Sequence, residues 1–281
     1  MRPLISIRDV GVQFPLKEGG VHTVFSGLDL DIEEGEFVSI VGQTGCGKST
    51  LLRLLLGSEH PSEGRILVDG QPVTNPCRKR GYVPQKYSLF PDKTVLRNVA
   101  FGPVAESFSL PKLASPSWWR HRKRIYEKAL DYLLQVGLSA KDGGKYPDQL
   151  SGGMQQRVAI AQSLILHPKI LLMDESFSAL DPKTRTDMQR LIRNIWRQSG
   201  TTVVFVTHNL AEAVFLGTRV ILLAKSETAD CSRIALDLSV PDHMRKPDGY
   251  PRQEELERFI HQLEYAALGD HLEEEMAEFG A

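Results

Sequence analysis

The chain has 281 residues, of which 41% are hydrophobic and 25% are charged, and its formal net charge at pH 7 is -1. This composition predicts a globular protein with a full core, organised as one large α/β domain or as a domain with appendages. The balanced charge removes a general electrostatic case for nucleic-acid binding. The 3 cysteines have no CxxC pairing, which argues against a disulfide scaffold or a zinc site and fits a reducing compartment.

The apolar runs of the sequence are short. It starts with MRPLISIRDVGVQF, which alternates like a strand and lacks the long apolar core of a signal peptide. Other apolar runs, such as RVILLA, are too short to cross a bilayer. We therefore expect a cytosolic protein that reaches a membrane only through a partner.

Two strands of different character are predicted in the first part of the chain. Leu28, Leu30 and Ile32 alternate with aspartates, as in an antiparallel strand that is buried on one face. The segment from Phe37 to Val41 is a continuous apolar run with β-branched residues, which is typical of a strand buried on both faces. The later segment LLRLLLG is helix-forming and ends at Gly57.

The stretch VGQTGCGKST joins that buried strand to that helix and fits the pattern G-x-x-x-x-G-K-[ST]. Its backbone N–H groups and the positive end of the helix favour phosphate oxygens, with Lys48 on the β- and γ-phosphates and Ser49 on Mg²⁺. An ordinary glycine-rich turn is the alternative. The residues predicted to bind the nucleotide are Gly42, Gln43, Thr44, Gly45, Cys46, Gly47, Lys48, Ser49 and Thr50.

Between about Val104 and Gly144 the sequence changes character. A Pro/Ser-rich loop, SLPKLASPS, leads into a segment whose apolar residues recur at helical spacing, which predicts a helical insertion. The basic run from Arg120 to Arg124 is interpreted as a solvated helix face, with a phosphate-binding patch as the alternative. The apolar residues at helical spacing are Ile125, Ala129, Leu130, Leu133 and Leu134.

The segment KILLMDE predicts a buried parallel strand that ends in two carboxylates. Ligands of open α/β sheets bind at this end of the strands. Asp174 can hold Mg²⁺ through its water shell, and Glu175 can accept a proton from the attacking water. For an isolated Asp-Glu pair, capping of the following helix would be an equal alternative.

The segment LSGGMQQR predicts a second anion site, because Ser151 can cap a helix and two glycines expose amides at its positive end. Taken in full, the segment resembles the signature motif of ATP-binding cassette (ABC) proteins. The other motifs follow in that family's order, and the resemblance covers about Leu4 to Ala224. A capped helix without function is the alternative for SGG alone.

The resemblance implies further roles for individual residues. Gln85 in YVPQ would contact Mg²⁺ and the attacking water, and His208 in VFVTHN would contact the γ-phosphate; taken alone, each would more often be an ordinary polar residue. Phe14 matches the aromatic residue that stacks on adenine, with His22 as a rival. Nucleotide contacts are also implied for Ser151, Gly152, Gly153, Gln155 and, in the SALD segment that crosses the dimer interface, Asp181.

One residue departs from the family pattern. Ser176 follows the proposed catalytic glutamate, where the family often has proline. Serine keeps the extended path possible but removes a fixed φ, and we expect activity to survive.

Within the family, the sequence looks similar to importer ATPases of the nitrate, sulfonate and taurine type, in stretches such as TVLRNVAFG and ILLMDESFSALD. This implies an α/β fold: a P-loop ABC cassette with a mixed core sheet, an antiparallel β subdomain, a helical subdomain and a helical C-terminal tail. It also implies ATP and Mg²⁺, a second ATPase subunit in a homodimer, membrane-spanning permease subunits, and indirectly a solute-binding protein. The protein would lie on the cytoplasmic face of the inner membrane, held there by the permease.

Two other function classes are compatible with the cassette motifs. One is a cassette serving lipid traffic or export, and the other is a soluble, non-transport cassette acting on nucleic acid, translation or iron–sulfur assembly. The last class predicts two cassettes in one chain, a coiled-coil insertion or a strongly basic face, and the sequence offers only the RHRKR run.

The predicted domains are an ABC ATPase domain at 1–225, with a helical subdomain at about 86–160, and a C-terminal linker with a helical extension at 226–281. The extension carries an apolar stripe that must be buried on its own cassette or against a partner's tail. Trp118 and Trp119 either fill the helical subdomain's own core or dock a permease. The stripe consists of Leu256, Phe259, Ile260, Leu263 and Ala267.

Overall fold

The structure, a computed structural model, describes residues 3–16, 19–86, 88–107, 116–178, 180–226, 231–245 and 254–261. Its strands are β1 (Ile5–Pro15), β2 (Val21–Ile32), β3 (Phe37–Gly42), β4 (Glu63–Val68), β5 (Gln71–Pro72), β6 (Arg80–Val83), β7 (Ile170–Asp174), β8 (Thr202–Thr207), β9 (Arg219–Lys225) and β10 (Ser232–Ser239). Its helices are α1 (Lys48–Leu56), α2 (Val95–Ser107), α3 (Pro116–Gln135), α4 (Gly152–Leu164), α5 (Pro182–Ser199), α6 (Leu210–Leu216) and α7 (254–261).

The chain divides into two compact units. The first unit comprises Met1–Pro76 and Gly200–Ala281, and the second comprises Cys77–Ser199. The division differs from the linear boundaries expected from the sequence, so the predicted limits of the helical subdomain, 86–160, stay a prediction.

The first unit contains a mixed sheet with the strand order β5-β4-β1-β2-β10-β9-β3-β8. At one end β1, β2, β4 and β5 pair antiparallel, and at the other β3 lies between β9 and β8 with parallel pairing on both sides. Val38 of β3 is opposite Val204 of β8 and Arg219 of β9. The mixed sheet and the antiparallel subdomain predicted from the sequence are therefore confirmed.

The central strand β3 explains why a functional loop can be held rigidly in the first unit. Every residue from Phe37 to Val41 is buried, as the apolar run predicts for a strand covered on both faces. Helix α1 follows and buries four leucines before it ends at Gly57, which has a left-handed φ of 85° and donates its N–H to the last carbonyls of the helix. The leucines are Leu51, Leu52, Leu54 and Leu55.

The second unit pairs β6 with β7 in parallel and contains the helices α2 to α5. Ile125, Ala129 and Leu133 of α3 are buried, as the helical spacing predicts. Leu134, which shares the helical spacing, is 50% exposed, because it lies one residue, or 100° around the helix, from the buried row. The Pro/Ser-rich loop before α3 lies mostly outside the described residues.

Strand β10 corrects the prediction that a linker follows residue 225. It pairs antiparallel with β9 and meets β2 at Ser232, so this segment belongs to the sheet of the first unit. The signal was present, since Ile234, Leu236 and Leu238 alternate with less apolar residues. The turn-rich stretch that follows obscured this strand in the sequence.

Helix α7 confirms a helical segment in the tail and places part of its apolar stripe. Phe259 is 8% exposed and joins a buried cluster of the first unit that includes Val240 and Met244, with Leu256 packed against it. These two stripe residues are therefore covered by their own chain. Leu263 and Ala267 lie outside the described residues.

Within the part of the chain that the structure describes, none of the helices is both long enough and apolar enough to cross a membrane.

Candidate functional site

The phosphate-loop residues of the first unit connect the end of β3 to the start of α1. Gly47 immediately precedes α1 with a left-handed φ of 88°, and a Cβ on it would lie 2.6 Å from side-chain atoms of Phe25 and of Val24. Only glycine fits this position without displacing its neighbours. The packing around Gly47 therefore fixes the backbone conformation in which the first N–H groups of α1 are available to an anion at the loop.

Lys48 is held inside this loop. Its side chain is buried, and Nζ donates to the carbonyl oxygens of Gly42 and Gln43 at 2.7 and 2.9 Å. These contacts hold the ammonium group over the loop, where an anion can replace one of the carbonyl oxygens as its hydrogen-bond acceptor. Gln43, Thr44, Gly45 and Ser49 are exposed to solvent.

Two loop residues have structural partners of their own. Thr50 is buried, and its hydroxyl accepts a hydrogen bond from Arg53 at 3.2 Å. Cys46 is 1% exposed, and burial raises the pKa of its thiol. A buried, protonated thiol is a poor nucleophile, which supports the interpretation of Cys46 as a packing residue.

His208 lies directly after β8 and is exposed. The turn beneath it is fixed by Thr207, whose hydroxyl bonds Glu212 at 2.5 Å and accepts from the backbone N–H of Asn209 at 3.1 Å. Asn209 in turn caps α6 by accepting from the backbone N–H of Glu212. The strand end and the helix cap together hold the backbone that presents the histidine.

The two candidates for stacking on adenine, Phe14 and His22, lie next to each other in the fold. Phe14 of β1 and His22 of β2 are directly opposite each other across the antiparallel pair, and both are half-buried. Opposite residues project from the same face of a sheet. An adenine that stacks on Phe14 would therefore also meet the imidazole of His22.

The second unit places the predicted carboxylates at the end of β7. Asp174 is 8% exposed and accepts from the hydroxyl of Tyr82 at 3.4 Å. Gln85 donates through Nε2 to Glu175 Oε2 at 3.1 Å. The structure thus brings together two side chains, Gln85 and Glu175, that the resemblance assigns to the attacking water.

Glu175 has an unusual backbone conformation. Its φ of 40° lies in the left-handed region, which is uncommon for a residue with a side chain. Ser178 stabilises the turn, because both its hydroxyl and its N–H donate to the carbonyl of Glu175, at 2.9 and 3.2 Å. Ser176 is 3% exposed and bonds the carbonyl of Val83 at 3.5 Å, a weak contact that proline could not make. A strained backbone such as that of Glu175 is typical of functional positions.

The signature segment forms a capped helix, as predicted. Ser151 precedes α4, and its hydroxyl accepts from the N–H of Met154 at 3.4 Å, while Gly152 stays exposed. A Cβ on Gly153 would lie 2.5 Å from the Thr184 methyl group, so packing against α5 requires glycine.

Gln155 has a contact that the sequence did not reveal. Its side-chain amide donates to the carbonyls of Pro147 at 2.9 Å and Leu150 at 3.3 Å. These bonds tie the first turn of α4 to the segment that precedes it. Gln155 therefore positions the signature loop here, and the predicted nucleotide contact stays a prediction.

Sequence reasoning missed one residue that positions the SALD segment. Arg185 donates to the carbonyls of Phe177 at 3.3 Å, Ser178 at 3.4 Å and Leu180 at 3.0 Å. No sequence motif predicts this role for an arginine at this position, so only the folded structure reveals it.

Asp181 caps the helix that follows. Its Oδ1 accepts from the N–H of Thr184 at 3.1 Å, and hydrogen bonds from Thr184 lower the pKa of the carboxyl group. The charged carboxylate at the positive end of α5 stabilises that helix start. Its predicted nucleotide contact stays a prediction.

Comparison with known families assigns the chain. Residues 25–178 match the family described as ABC transporter. This chain belongs to that family. Its P-loop cassette binds and hydrolyses ATP, and the predicted family, fold class and ATPase activity are thereby confirmed.

Three curated relatives give the context of the cassette. It is 40% identical to the nitrate import ATP-binding protein NrtD of Synechocystis sp., over 94% of each chain. It is 35% identical to the aliphatic sulfonates import ATP-binding protein SsuB of Bacillus cereus, over 94% of this chain and 97% of that one. It is 38% identical to the bicarbonate transport ATP-binding protein CmpC of Synechococcus elongatus over 93% of this chain, but spans only 39% of that longer relative.

A solved structure supports the same assignment. The cassette MJ0796, in a dimeric post-hydrolysis state bound to ADP and Pi, superposes with a TM-score of 0.70 at 31% identity. The superposition covers 84% of this chain and 99% of that one.

Proposed function

We propose that this cassette is the ATP-hydrolysing, energy-coupling subunit of an ABC importer for a small solute of the nitrate, bicarbonate or sulfonate type. The observation that carries the proposal is the match along 94% of the chain to an import ATP-binding protein for nitrate and to one for aliphatic sulfonates. The importer is favoured over the export, lipid-traffic and soluble alternatives, because these relatives are named for import or transport of small anions.

The proposed chemistry is hydrolysis by in-line attack of water on the γ-phosphate. Lys48 and the amides of its loop bind the phosphates, and His208 contacts the γ-phosphate. Glu175 accepts the proton of the attacking water, and Gln85, which bonds Glu175 Oε2 at 3.1 Å, orients it. The left-handed φ of Glu175 also supports this assignment, since backbone strain is found at functional positions.

The residues present fit Mg²⁺. Ser49 is an exposed hydroxyl directly after Lys48, Asp174 is a buried carboxylate at a strand end, and Gln85 carries an amide oxygen; these are hard oxygen donors of the kind Mg²⁺ takes together with phosphate and water. Bound Mg²⁺ would neutralise charge on the phosphates. Asp174, already hydrogen-bonded by Tyr82, would hold it through the water shell.

The proposed assembly contains two copies that close head to tail around two ATP molecules. In this arrangement Ser151, Gly152 and Gly153 of one copy contact the γ-phosphate held by the other, and hydrolysis lets the copies part. Two observations support this arrangement: the exposed, capped start of α4, and the dimeric state of the similar cassette MJ0796. Permease subunits would bind the pair at the cytoplasmic face of the membrane, with a solute-binding protein on the other side.

The two tryptophans of α3 separate into a core residue and a surface residue. Trp118 is 7% exposed, whereas Trp119 is 56% exposed and stacks edge-on against it with ring centroids 5.1 Å apart. Trp119 is therefore the residue with which to test docking of a permease. Large exposed aromatic side chains are enriched at binding hot spots.

Affinity purification of the tagged chain from its native membranes tests the proposal. We expect a membrane-spanning permease to co-purify and, with its binding protein in proteoliposomes, to take up nitrate, bicarbonate or an alkanesulfonate only with internal ATP. A Glu175→Gln complex should assemble but not transport, and Trp119→Ala should weaken co-purification while leaving ATPase activity intact. ATP-driven efflux, or uptake that continues with Glu175→Gln, would contradict the proposed function.

A further inference from the structure

A cavity of about 540 Å³ lies in the second unit, between the end of α2, the middle of α3 and the end of α4. Its volume falls within the range of small-molecule sites. Its apolar wall contains Ile125 and Ile165, both buried, and Pro103. None of the residues that line it belongs to the motifs assigned to ATP.

The polar wall of this cavity is strongly basic. His121, Arg124 and Lys128 line it from α3, where spacings of three and four residues align them on one face of the helix. Glu106 is the one carboxylate among the lining residues, and it accepts a hydrogen bond from Arg78 at 3.3 Å. Arg124 forms no ion pair with any residue that the structure describes.

A neighbouring histidine, His167, contacts one of these cations. Lys128 Nζ contacts His167 Nε2 at 2.5 Å, and the hydroxyl of Tyr132 lies 3.2 Å from its Nδ1. Burial first, and then Lys128 and Arg78, lower the pKa of His167. Lys128 and Arg78 thus add to the effect of burial in disfavouring a further positive charge here, and an anion in the cavity would offset the repulsion among these cations.

We propose that this cavity binds a small organic oxyanion, whose charged group contacts Arg124, Lys128 and His121 and whose short apolar body lies on Ile125 and Ile165. Arginine and lysine donors match a sulfonate, phosphate or carboxylate group. Two sources can present this chemistry: a soluble organic anion and the headgroup of an anionic lipid. Either one would bind the cassette outside its ATP site.

The cavity distinguishes this site from a solvated basic helix face. Of the run from Arg120 to Arg124, only His121 and Arg124 line the cavity, while Arg120 is exposed on α3 outside it. Lys123 lies in an exposed pair with Glu127 at 3.9 Å. A specific site therefore predicts different effects for charge reversal at Arg124 and at Arg120, although the net charge changes equally.

Titration calorimetry with the full chain tests the proposal. Hexanesulfonate and sulfate are the soluble probes, and saturating ADP with Mg²⁺ keeps them out of the phosphate loop. Vesicles of phosphatidylglycerol, compared with phosphatidylcholine, test the lipid source by co-sedimentation. Arg124→Glu removes the proposed contact, Arg120→Glu is the matched control, and circular dichroism verifies the fold of both variants.

We expect hexanesulfonate to bind with a Kd below about 1 mM and more tightly than sulfate. Arg124→Glu should weaken binding by at least about tenfold, with Arg120→Glu unchanged. Binding only to phosphatidylglycerol vesicles with the same dependence on Arg124 would identify the lipid headgroup as the source. Absence of binding to every probe, or equal effects of the two charge reversals, would overturn the site.

Discussion

At the scale of single residues, Glu175 carries the proposed chemistry. The left-handed φ of 40°, the two hydrogen bonds from Ser178 to its carbonyl and the bond from Gln85 to Oε2 fix both its backbone and its side chain. Such a constrained carboxylate is suited to hold one water in place. The motif KILLMDE predicted the residue, but it could not show the strain or the serine contacts that maintain it.

Glu175→Gln tests the proposed general base. Glutamine retains the size and an oxygen acceptor for Gln85 but cannot take a proton at neutral pH. ATPase turnover should fall by about 10²-fold or more, while ATP affinity measured by fluorescence titration stays near that of the wild type. Turnover within a few-fold of the wild type would show that another group takes the proton.

At the scale of elements, the turn between α3 and the signature segment is held by one carboxylate. Asp142 accepts from the N–H and the hydroxyl of Ser139 at 2.9 and 2.6 Å and from Lys145 Nζ at 2.7 Å. The Lys145 and Ser139 hydrogen bonds lower the pKa of Asp142 to about 2. The carbonyl of Lys145 in turn accepts from the N–H of Val95, the first residue of α2.

The lowered pKa of Asp142 predicts a pH dependence of stability. The folded carboxyl binds fewer protons than the unfolded one, so its contribution is complete above the ordinary pKa of 3.8 and is lost as the pH falls towards 2. Asp142→Asn should cost roughly 1 kcal/mol at pH 7, and this difference should shrink between pH 4 and pH 3. Urea unfolding at pH 7, 5, 4 and 3 measures it; a difference that grows on acidification would contradict the assignment.

Helix α7 covers apolar surface of its own chain. Phe259 and Leu256 pack on the cluster with Val240 and Met244, next to α6. Phe259→Ala should therefore destabilise the cassette by about 2–4 kcal/mol in urea unfolding, since the aromatic ring is almost fully buried. Arg258→Ala, an exposed change on the same helix, is the control and should have little effect. Equal effects of both changes would contradict burial of the Phe259 ring as the source of the stabilisation.

Most elements could be predicted from the sequence, because β2 shows period-two alternation, β3 is a continuous apolar run and α3 shows helical spacing. The exceptions have physical causes: β10 lies directly before a turn-rich stretch, and Leu134 follows the buried row by one residue. Site positions followed from motifs, since glycines, Lys48 and the carboxylates stand at junctions of strands and helices. Contacts such as those of Arg185 and Gln155 depend on the folded path of loops, which no local pattern encodes.

At the scale of the whole molecule, the central claim is that ATP is hydrolysed at sites shared by two copies of the chain. The most direct measurement is the ATPase activity of a mixture of Lys48→Ala and Ser151→Arg chains. Lys48→Ala removes the cation proposed to bind the phosphates, and Ser151→Arg places bulk and positive charge at the start of α4, so each homodimer would have two damaged sites.

In the mixed dimer, the intact loop of the Ser151→Arg chain meets the intact signature of the Lys48→Ala chain, which leaves one complete site. We expect mixing to restore measurable ATPase activity that neither variant shows alone. If the two sites hydrolyse ATP only together, we expect instead that ATP drives formation of heterodimers, detected with differently tagged chains. With subunit exchange verified, the absence of both activity and ATP-dependent heterodimers would contradict the shared site and place all the catalytic groups within one chain.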